Sequence, residues 1–385
     1  MDLYMQAYGK TKEIFESKNC THTAYEIAHQ PLMWRDLAPY MKKEASRIAA
    51  FFNSIPDFKN IRIILTGAGS SGYIGRAVGG FVAKATGLKC EGIHTTDIVS
   101  APETYLYADV PTLLVSFARS GNSPESVGTV EYARKIVKNL YEIAIVCDGN
   151  SRLANTTGEN GLLLVMPEGT NDKSFAMTSS VSTMILAGVA TFMHNEIPSI
   201  ADEIVKLADH VEKTISAYAK AAESCATWGY ERAWYLANGA LTAIAHEGSL
   251  KMMELTNGAV VAGHSNAPEF RHGPKTVINP KTLTVHFVSN DAFTAKYDMD
   301  LVNEMYAQRD GNKMVVLHDE TKQANADLAI PYKVFNCDAA VGMQGLVFMQ
   351  LLSMYTSLEL GIPTDNPSPS GLVNRVVQGV TVYQY

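Results

Sequence analysis

Short apolar runs alternate with amphipathic stretches along most of this chain. IRIILT from Ile61, TLLVSF from Thr112, YEIAIVC from Tyr141 and GLLLVM from Gly161 are apolar at almost every position, which predicts strands buried on both faces of a parallel sheet. Helices are expected between them, over residues 72–84, 123–138 and 174–194. The same grammar then restarts. AWYLAN from Ala233, VVAG from Val260, TLTVHFV from Thr282, KMVVL from Lys313 and YKVF from Tyr332 read as strands, with helical segments over 241–255 and 341–360. A long charged stretch over 200–224 divides the two series. The pattern therefore predicts an α/β protein of two tandem three-layer αβα sandwiches with parallel sheets.

The flanks differ from this body. Up to about Lys43 the chain reads as a helical arm, with Ile27, Leu32, Met33, Leu37 and Met41 near helical spacing and Pro31 as an interruption. Beyond Gly361, Pro363, Pro367, Pro369 and Gly371 make an irregular tail that ends in VTVYQY and is expected to fold back over a site. The expected division is an arm over 1–44, a first sandwich over 45–199, a linker helix over 200–224, a second sandwich over 225–362 and a tail over 363–385. A chain of 385 residues suits two such cores.

Two loops follow predicted strands and open predicted helices: GAGSSG from Gly67 to Gly72, and RSGNS from Arg119 to Ser123. Strand, hydroxyl-rich turn and helix start is how a parallel sheet offers backbone N–H groups and serine hydroxyls to an anion. Ser70, Ser71, Ser120 and Ser123 supply the hydroxyls, and Ser123 ahead of Pro124 and Glu125 carries an N-cap signature. GAGSSG also fits the dinucleotide pattern G-x-G-x-x-G, with Glu91 and Asp97 near where a ribose-binding acid is expected. That reading leaves RSGNS unexplained and nominates no hydride-transfer residue. Tight turns without a ligand are the third reading. A phosphorylated small molecule accounts best for both loops.

Composition narrows the field. With 46% apolar and 18% charged residues and a net charge of −7, the chain lacks the basic footprint of a nucleic-acid binder. It shows neither a signal-peptide core at its start nor an apolar stretch long enough to span a membrane, so a cytoplasmic location is expected. The five cysteines are scattered and read as buried thiols. Without C-x-x-C or H-E-x-x-H spacing, no metal is expected.

Acid–base chemistry has one strong candidate. In HEGSLKMMELTNG, from His246 to Gly258, Glu247, Lys251 and Glu254 stand at i, i+4 and i+7, which stacks two carboxylates and an ammonium on one helix face. A solvated surface stripe is the competing reading. The helix follows the strand from Ala233, which sets its start beside the sheet edge where α/β sites form. Downstream, PEFRHGP places His272 on a loop between Arg271 and Gly273, a group able to exchange protons near neutral pH.

TGAGSS, SFARSGNSPES, EGSLKMMEL and EFRHGP, in this order and spacing, resemble the sugar isomerase (SIS) superfamily, in particular the tandem-SIS isomerase half of glucosamine-6-phosphate synthase. HTAYEIAHQP, TTDIVSAP, SFARSGNSPESV, FRHGPK and NRVVQGVTVY are similar to signatures of the AgaS family, described as tagatose-6-phosphate ketose/aldose isomerases or galactosamine-6-phosphate deaminase/isomerases. The resemblance implies that Ser70, Ser71, Ser120 and Ser123 hold the 6-phosphate, with Gly69, Arg119 and Asn122 beside them. It implies that Glu254 moves a proton between C1 and C2, that Lys251 supports it, and that His272 takes part in ring opening. In the synthase this histidine comes from the neighbouring subunit, which implies a homodimer or a higher homo-oligomer here. Glu168, Ser174 and Thr178, in a loop expected to close over the sugar, are sugar-binding candidates together with Gly69, Arg119, Asn122, Glu247 and Gln378.

Two departures from the synthase bear on the reaction. Gln378 stands where the synthase tail carries a lysine, so ring opening by that lysine is not expected. No glutaminase segment precedes the first predicted strand, so the deaminating direction is expected over ammonia-fed synthesis. The resulting expectation is conversion of galactosamine 6-phosphate to tagatose 6-phosphate and ammonia, with no cofactor. A plain ketose/aldose isomerase and a non-catalytic sugar-phosphate sensor are the alternatives.

Overall fold

A computed structural model describes residues 2–157, 161–336, 338–377 and 379–385. The chain divides into two compact units, one of Leu32–Asp172, Ser179–Val205 and Val373–Tyr385, the other of Met1–Pro31, Lys173–Thr178 and Lys206–Leu372. Each holds one five-stranded sheet.

The first sheet consists of β1 (Arg62–Thr66), β2 (Cys90–Gly92), β3 (Thr112–Ala118), β4 (Leu140–Val146) and β5 (Gly161–Val165), all parallel, in the order β2-β1-β3-β4-β5. Central β3 is buried at every residue, which is why TLLVSFA shows no alternation. On one face Ile64, Leu114 and Ala144 pack against Ile98, Val130 and Ala133 of the Thr95–Ser100 and Pro124–Ile136 helices. The Ser70–Thr86 and Ser179–Phe192 helices supply the buried side chains of the opposite layer. Ser179, rather than Ser174, begins the latter helix because the buried Asp172 carboxylate accepts the backbone N–H of Ser179 at 3.1 Å and of Ser180 at 2.9 Å, together with both hydroxyls.

The second sheet repeats the winding with β6 (Arg232–Leu236), β7 (Val261–Ser265), β8 (Thr282–Phe287), β9 (Lys313–Asp319) and β10 (Leu328–Tyr332) in the order β10-β9-β8-β6-β7, all parallel. Leu301, Val302 and Met305 of the Thr294–Ala307 helix cover one face. The Leu241–Leu255 and Asp338–Glu359 helices pack together on the other. The last strand lies four residues before the YKVF run expected from sequence. Pairing stops at Tyr332 because the Gln344 side chain takes the next backbone groups, accepting from Lys333 N at 2.9 Å and donating to its carbonyl at 2.8 Å.

The expected linker is one helix, Ile197–Ala226. Four helices form the N-terminal region: Leu3–Tyr8, Lys12–Glu16, Thr21–Ala28 and Gln30–Asn53. Pro31 does not interrupt a helix; it occupies the first turn of the last one, where its missing N–H has no intrahelical partner to lose. Residue 44, the expected end of the arm, falls inside that helix. Among the described residues no helix is long and apolar enough to cross a membrane.

Candidate active site

In the first sheet the strand order reverses between β1 and β3, and open parallel sheets bind ligands outside the carboxyl ends of the strands at such a point. Both serine loops emerge there. Gly69, at φ 55° and ψ −127°, caps the Ser70–Thr86 helix in a conformation closed to side chains, and Ser70 and Ser71 fill its buried first turn. After β3, Gly121 has φ 61°, and a Cβ there would stand 2.3 Å from Ser151 Oγ. Ser123 caps the Pro124–Ile136 helix: its Oγ accepts from Ser126 N at 3.3 Å and donates to Ser126 Oγ at 2.7 Å. Exposed Asn122 accepts from Arg152 N at 3.0 Å, and half-buried Ser120 accepts from Asn122 N at 3.4 Å. Two helix N-termini therefore meet the reversal point, each adding favourable potential for an anion.

Arg119 brings a buried guanidinium to this edge and donates to the carbonyl of Arg375 at 2.8 Å. Arg375 in turn donates to the Asp172 carbonyl, so the C-terminal tail crosses the second serine loop. Farther along, the Tyr132 hydroxyl donates to the Tyr383 carbonyl and Val382 packs on the core beside Gly128. Sequence reasoning missed Arg375 and Asp172. The TNDKSFAMTSS segment offered a capping aspartate as the only signal. Gln378 lies outside the described residues.

The second sheet has the equivalent reversal between β6 and β8, but that crevice is occupied by the protein itself. Asn238, beyond β6, donates Nδ2 to Asp298 Oδ1 at 2.6 Å, and Ser289 N, beyond β8, donates to Asp298 Oδ2 at 2.9 Å. Burial pushes the Asp298 carboxyl up to about 6. A built-in carboxylate fills the place an anionic ligand takes in such folds.

Glu247, Lys251 and Glu254 form a chain of charge along the Leu241–Leu255 helix. Lys251 is fully buried, 3.2 Å from Glu247 Oε1 and bonded to Glu254 Oε2 on its other side. Burial pulls the ammonium toward neutrality, but the two carboxylates outweigh it and hold its pKa above the ordinary lysine value. The surface-stripe reading fails on exposure: Glu247 and Lys251 side chains are 1% and 0% exposed, and Glu254 alone reaches out, at 26%. Glu254 is thus the member of the triad that reaches solvent.

The start of the helix lies at the sheet edge inferred from sequence, and the exposed end of the triad lies at the other. The helix starts at the carboxyl end of β6, but Glu254 belongs to its last turn, beside the start of β7. A rise of 1.5 Å per residue separates the ends by about 20 Å. His272, exposed, follows the short Ala267–Phe270 helix that comes after β7, and its neighbours Arg271 and Lys275 both pair with Glu304, in the second half of the Thr294–Ala307 helix. Asn266 caps that helix in a reciprocal capping box with Glu269, whose carbonyl accepts His272 N at 2.8 Å.

The remaining candidates divide by exposure. Glu168 is exposed at a turn. Ser174 and Thr178 are fully buried: Glu26 accepts the Ser174 N–H, Ser174 Oγ donates to the Ala176 carbonyl at 3.0 Å, and the Thr178 carbonyl accepts from Gln350 at 3.4 Å. Glu26, buried in the Thr21–Ala28 helix, is another organiser not singled out from sequence.

Winding, serine loops and charge triad define a double-sandwich protein of the sugar-phosphate isomerase type. A model of the SIS domain matches residues 58–194. The D-galactosamine-6-phosphate deaminase AgaS of Shewanella sp. (strain ANA-3) is 37% identical over 370 residues, 94% of this chain and 92% of the relative. The protein of the same name from Escherichia coli is 35% identical over 371 residues, 95% of this chain and 96% of the relative. The crystal structure of tagatose-6-phosphate ketose/aldose isomerase from Escherichia coli gives a TM-score of 0.86 at 32% identity, covering 95% of this chain and 97% of that one. The chain belongs to the AgaS family of SIS-domain proteins.

Proposed function

We propose that the protein converts galactosamine 6-phosphate to tagatose 6-phosphate and ammonia. The observation that carries this reading is the Glu247–Lys251–Glu254 triad, in which two members are sealed and one carboxylate is presented, in a chain whose relatives bear the name of that deaminase. The serine loops, with Arg119 behind them, hold the 6-phosphate; Gly69, Asn122 and Glu168 are the exposed candidates for sugar contacts. Glu254 takes the C2 proton of the open-chain aldose, leaving an enolamine. Protonation at C1 gives the C2 imine. Water adds to that imine and ammonia leaves, so the carbonyl ends on C2.

Lys251 orients Glu254, and Glu247 provides the buried countercharge that keeps Lys251 an ammonium. His272 shuttles the ring-oxygen or C1-hydroxyl proton. Its exposure leaves it open to delivery from a second copy of the chain, hence a homodimer as the working form. A phosphorylated substrate fits a cytoplasmic reaction.

The second reading, a plain ketose/aldose isomerase, draws on the description of the Escherichia coli structure. A panel of hexose and hexosamine 6-phosphates, assayed for both ketose and ammonia, decides between them. Equimolar ammonia and ketose from galactosamine 6-phosphate supports the proposal; ketose from a non-amino sugar phosphate alone overturns it.

A further inference from the structure

A cavity of about 290 Å³ opens in the second-sheet unit at the carboxyl ends of β8 and β9. Val288 continues from β8, His318 and Asp319 end β9, Lys322 follows, and Lys296 and Met299 face in from the first half of the Thr294–Ala307 helix. The volume is near the lower end for small-molecule sites, and the cavity lies one strand away from the reversal between β6 and β8. No group of the proposed reaction lines it.

Its lining has two characters. Lys296 makes no ion pair among the described residues, while Lys322 shares Asp319 at 3.5 Å. His318 Nδ1 lies 2.9 Å from the Asp319 carbonyl, which can only accept, so Nδ1 carries the hydrogen and Nε2 is left for another partner. Against Lys296 and the Lys322–Asp319 pair stand the apolar Val288 and Met299, the latter a soft surface well matched to an aromatic ring. Cationic groups beside an apolar wall suit a compact anion carrying a flat ring.

The helix that lines the cavity also holds the His272 loop. Asp300 and Glu304, farther along it, bind Arg271 at 2.8 and 2.7 Å, and Glu304 also binds Lys275. Arg271 and Lys275 bracket His272. A ligand drawing on Lys296 and Met299 thus acts on the same rigid element that positions the histidine.

We propose that this cavity is an effector site for a small aromatic phosphate of the nucleoside-monophosphate class, coupled through the Thr294–Ala307 helix to His272. The coupling rests on the role proposed for His272; the binding does not. The test is calorimetric titration of the full chain with adenosine 5′-monophosphate, repeated on Lys296→Ala/Lys322→Ala and on Ser120→Ala/Ser123→Ala. One saturable site is expected, weakened about tenfold or more by the lysine substitutions, as loss of charge-assisted contacts requires, and retained in the serine variant. A change in kcat on adding the nucleotide, absent from the lysine variant, is expected as well. Absence of saturation by about 10 mM, indifference to the lysine substitutions, or loss in the serine variant overturns the site. Saturable binding with unaltered kcat overturns the link to His272. Because calorimetry needs no turnover, these outcomes stay separate from failure of the proposed reaction.

Discussion

Lys251 Nζ stands 3.2 Å from Glu247 Oε1 and is bonded on its other side to Glu254, yet only Glu254 of the three has appreciable exposure. The arrangement aims one carboxylate outward and locks its orientation from behind. Glu254→Gln keeps the shape and removes the base. Turnover should fall about 10²- to 10⁴-fold with substrate affinity little changed, the usual weight of a general acid–base group. Steady-state kinetics paired with direct substrate titration checks this, and near-full turnover removes Glu254 from the mechanism.

Lys251 has a second role, in stability. Lys251→Met leaves Glu247 sealed without its cation, and breaking a buried pair in this way typically costs about 3–5 kcal/mol. Adding Glu247→Gln removes the stranded charge, so the double variant should recover a large part of the loss. Urea unfolding of the three variants gives the comparison. A double variant no more stable than Lys251→Met alone contradicts the pairing.

The serine loops make a separable prediction. Ser120→Ala with Ser123→Ala should weaken binding of a phosphorylated sugar and leave binding of the unphosphorylated sugar unaltered. Because Ser123 also caps the Pro124–Ile136 helix, the pair should lose about 1 kcal/mol of stability. Equal weakening of both ligands refutes the cradle.

Much of this was legible before any coordinates. Continuous apolar runs mark strands buried on both faces, so all but two of the strands were found close to their places. β2 escaped because none of its three residues is buried, Glu91 being exposed and its neighbours half-exposed, which leaves no pattern. β10 was displaced because Gln344, remote in sequence, decides where pairing ends. The triad was visible as helical spacing and its helix start as strand–helix order, but neither shows that Glu247 and Lys251 are sealed while Glu254 is exposed. Tertiary packing supplied that. Asp298 was invisible for a related reason: its partners Asn238 and Ser289 lie on loops that meet only when β6 and β8 pair.

Asp298 and His286 set opposing dependences of stability on pH. Burial pushes the Asp298 carboxyl up from 3.8 to about 6, so the folded state holds its proton more tightly than the unfolded chain does. Its contribution is fully present below pH 3.8 and is lost as pH rises through about 6, a change of about 3 kcal/mol. Burial lowers His286, on β8, from 6.5 to about 3, so the folded state holds it neutral while the unfolded chain takes up a proton. Its contribution is fully present above pH 6.5 and is lost on acidification toward pH 3, again by about 3 kcal/mol over the window that Asp298 spans. The two slopes nearly cancel in the wild type. Asp298→Asn should therefore become more acid-sensitive than wild type between about pH 4 and pH 6, and His286→Gln should lose stability relative to wild type as pH rises through the same range. Unfolding free energies from urea titrations across that range measure both, and parallel curves for all three proteins would show that neither group titrates as its burial requires.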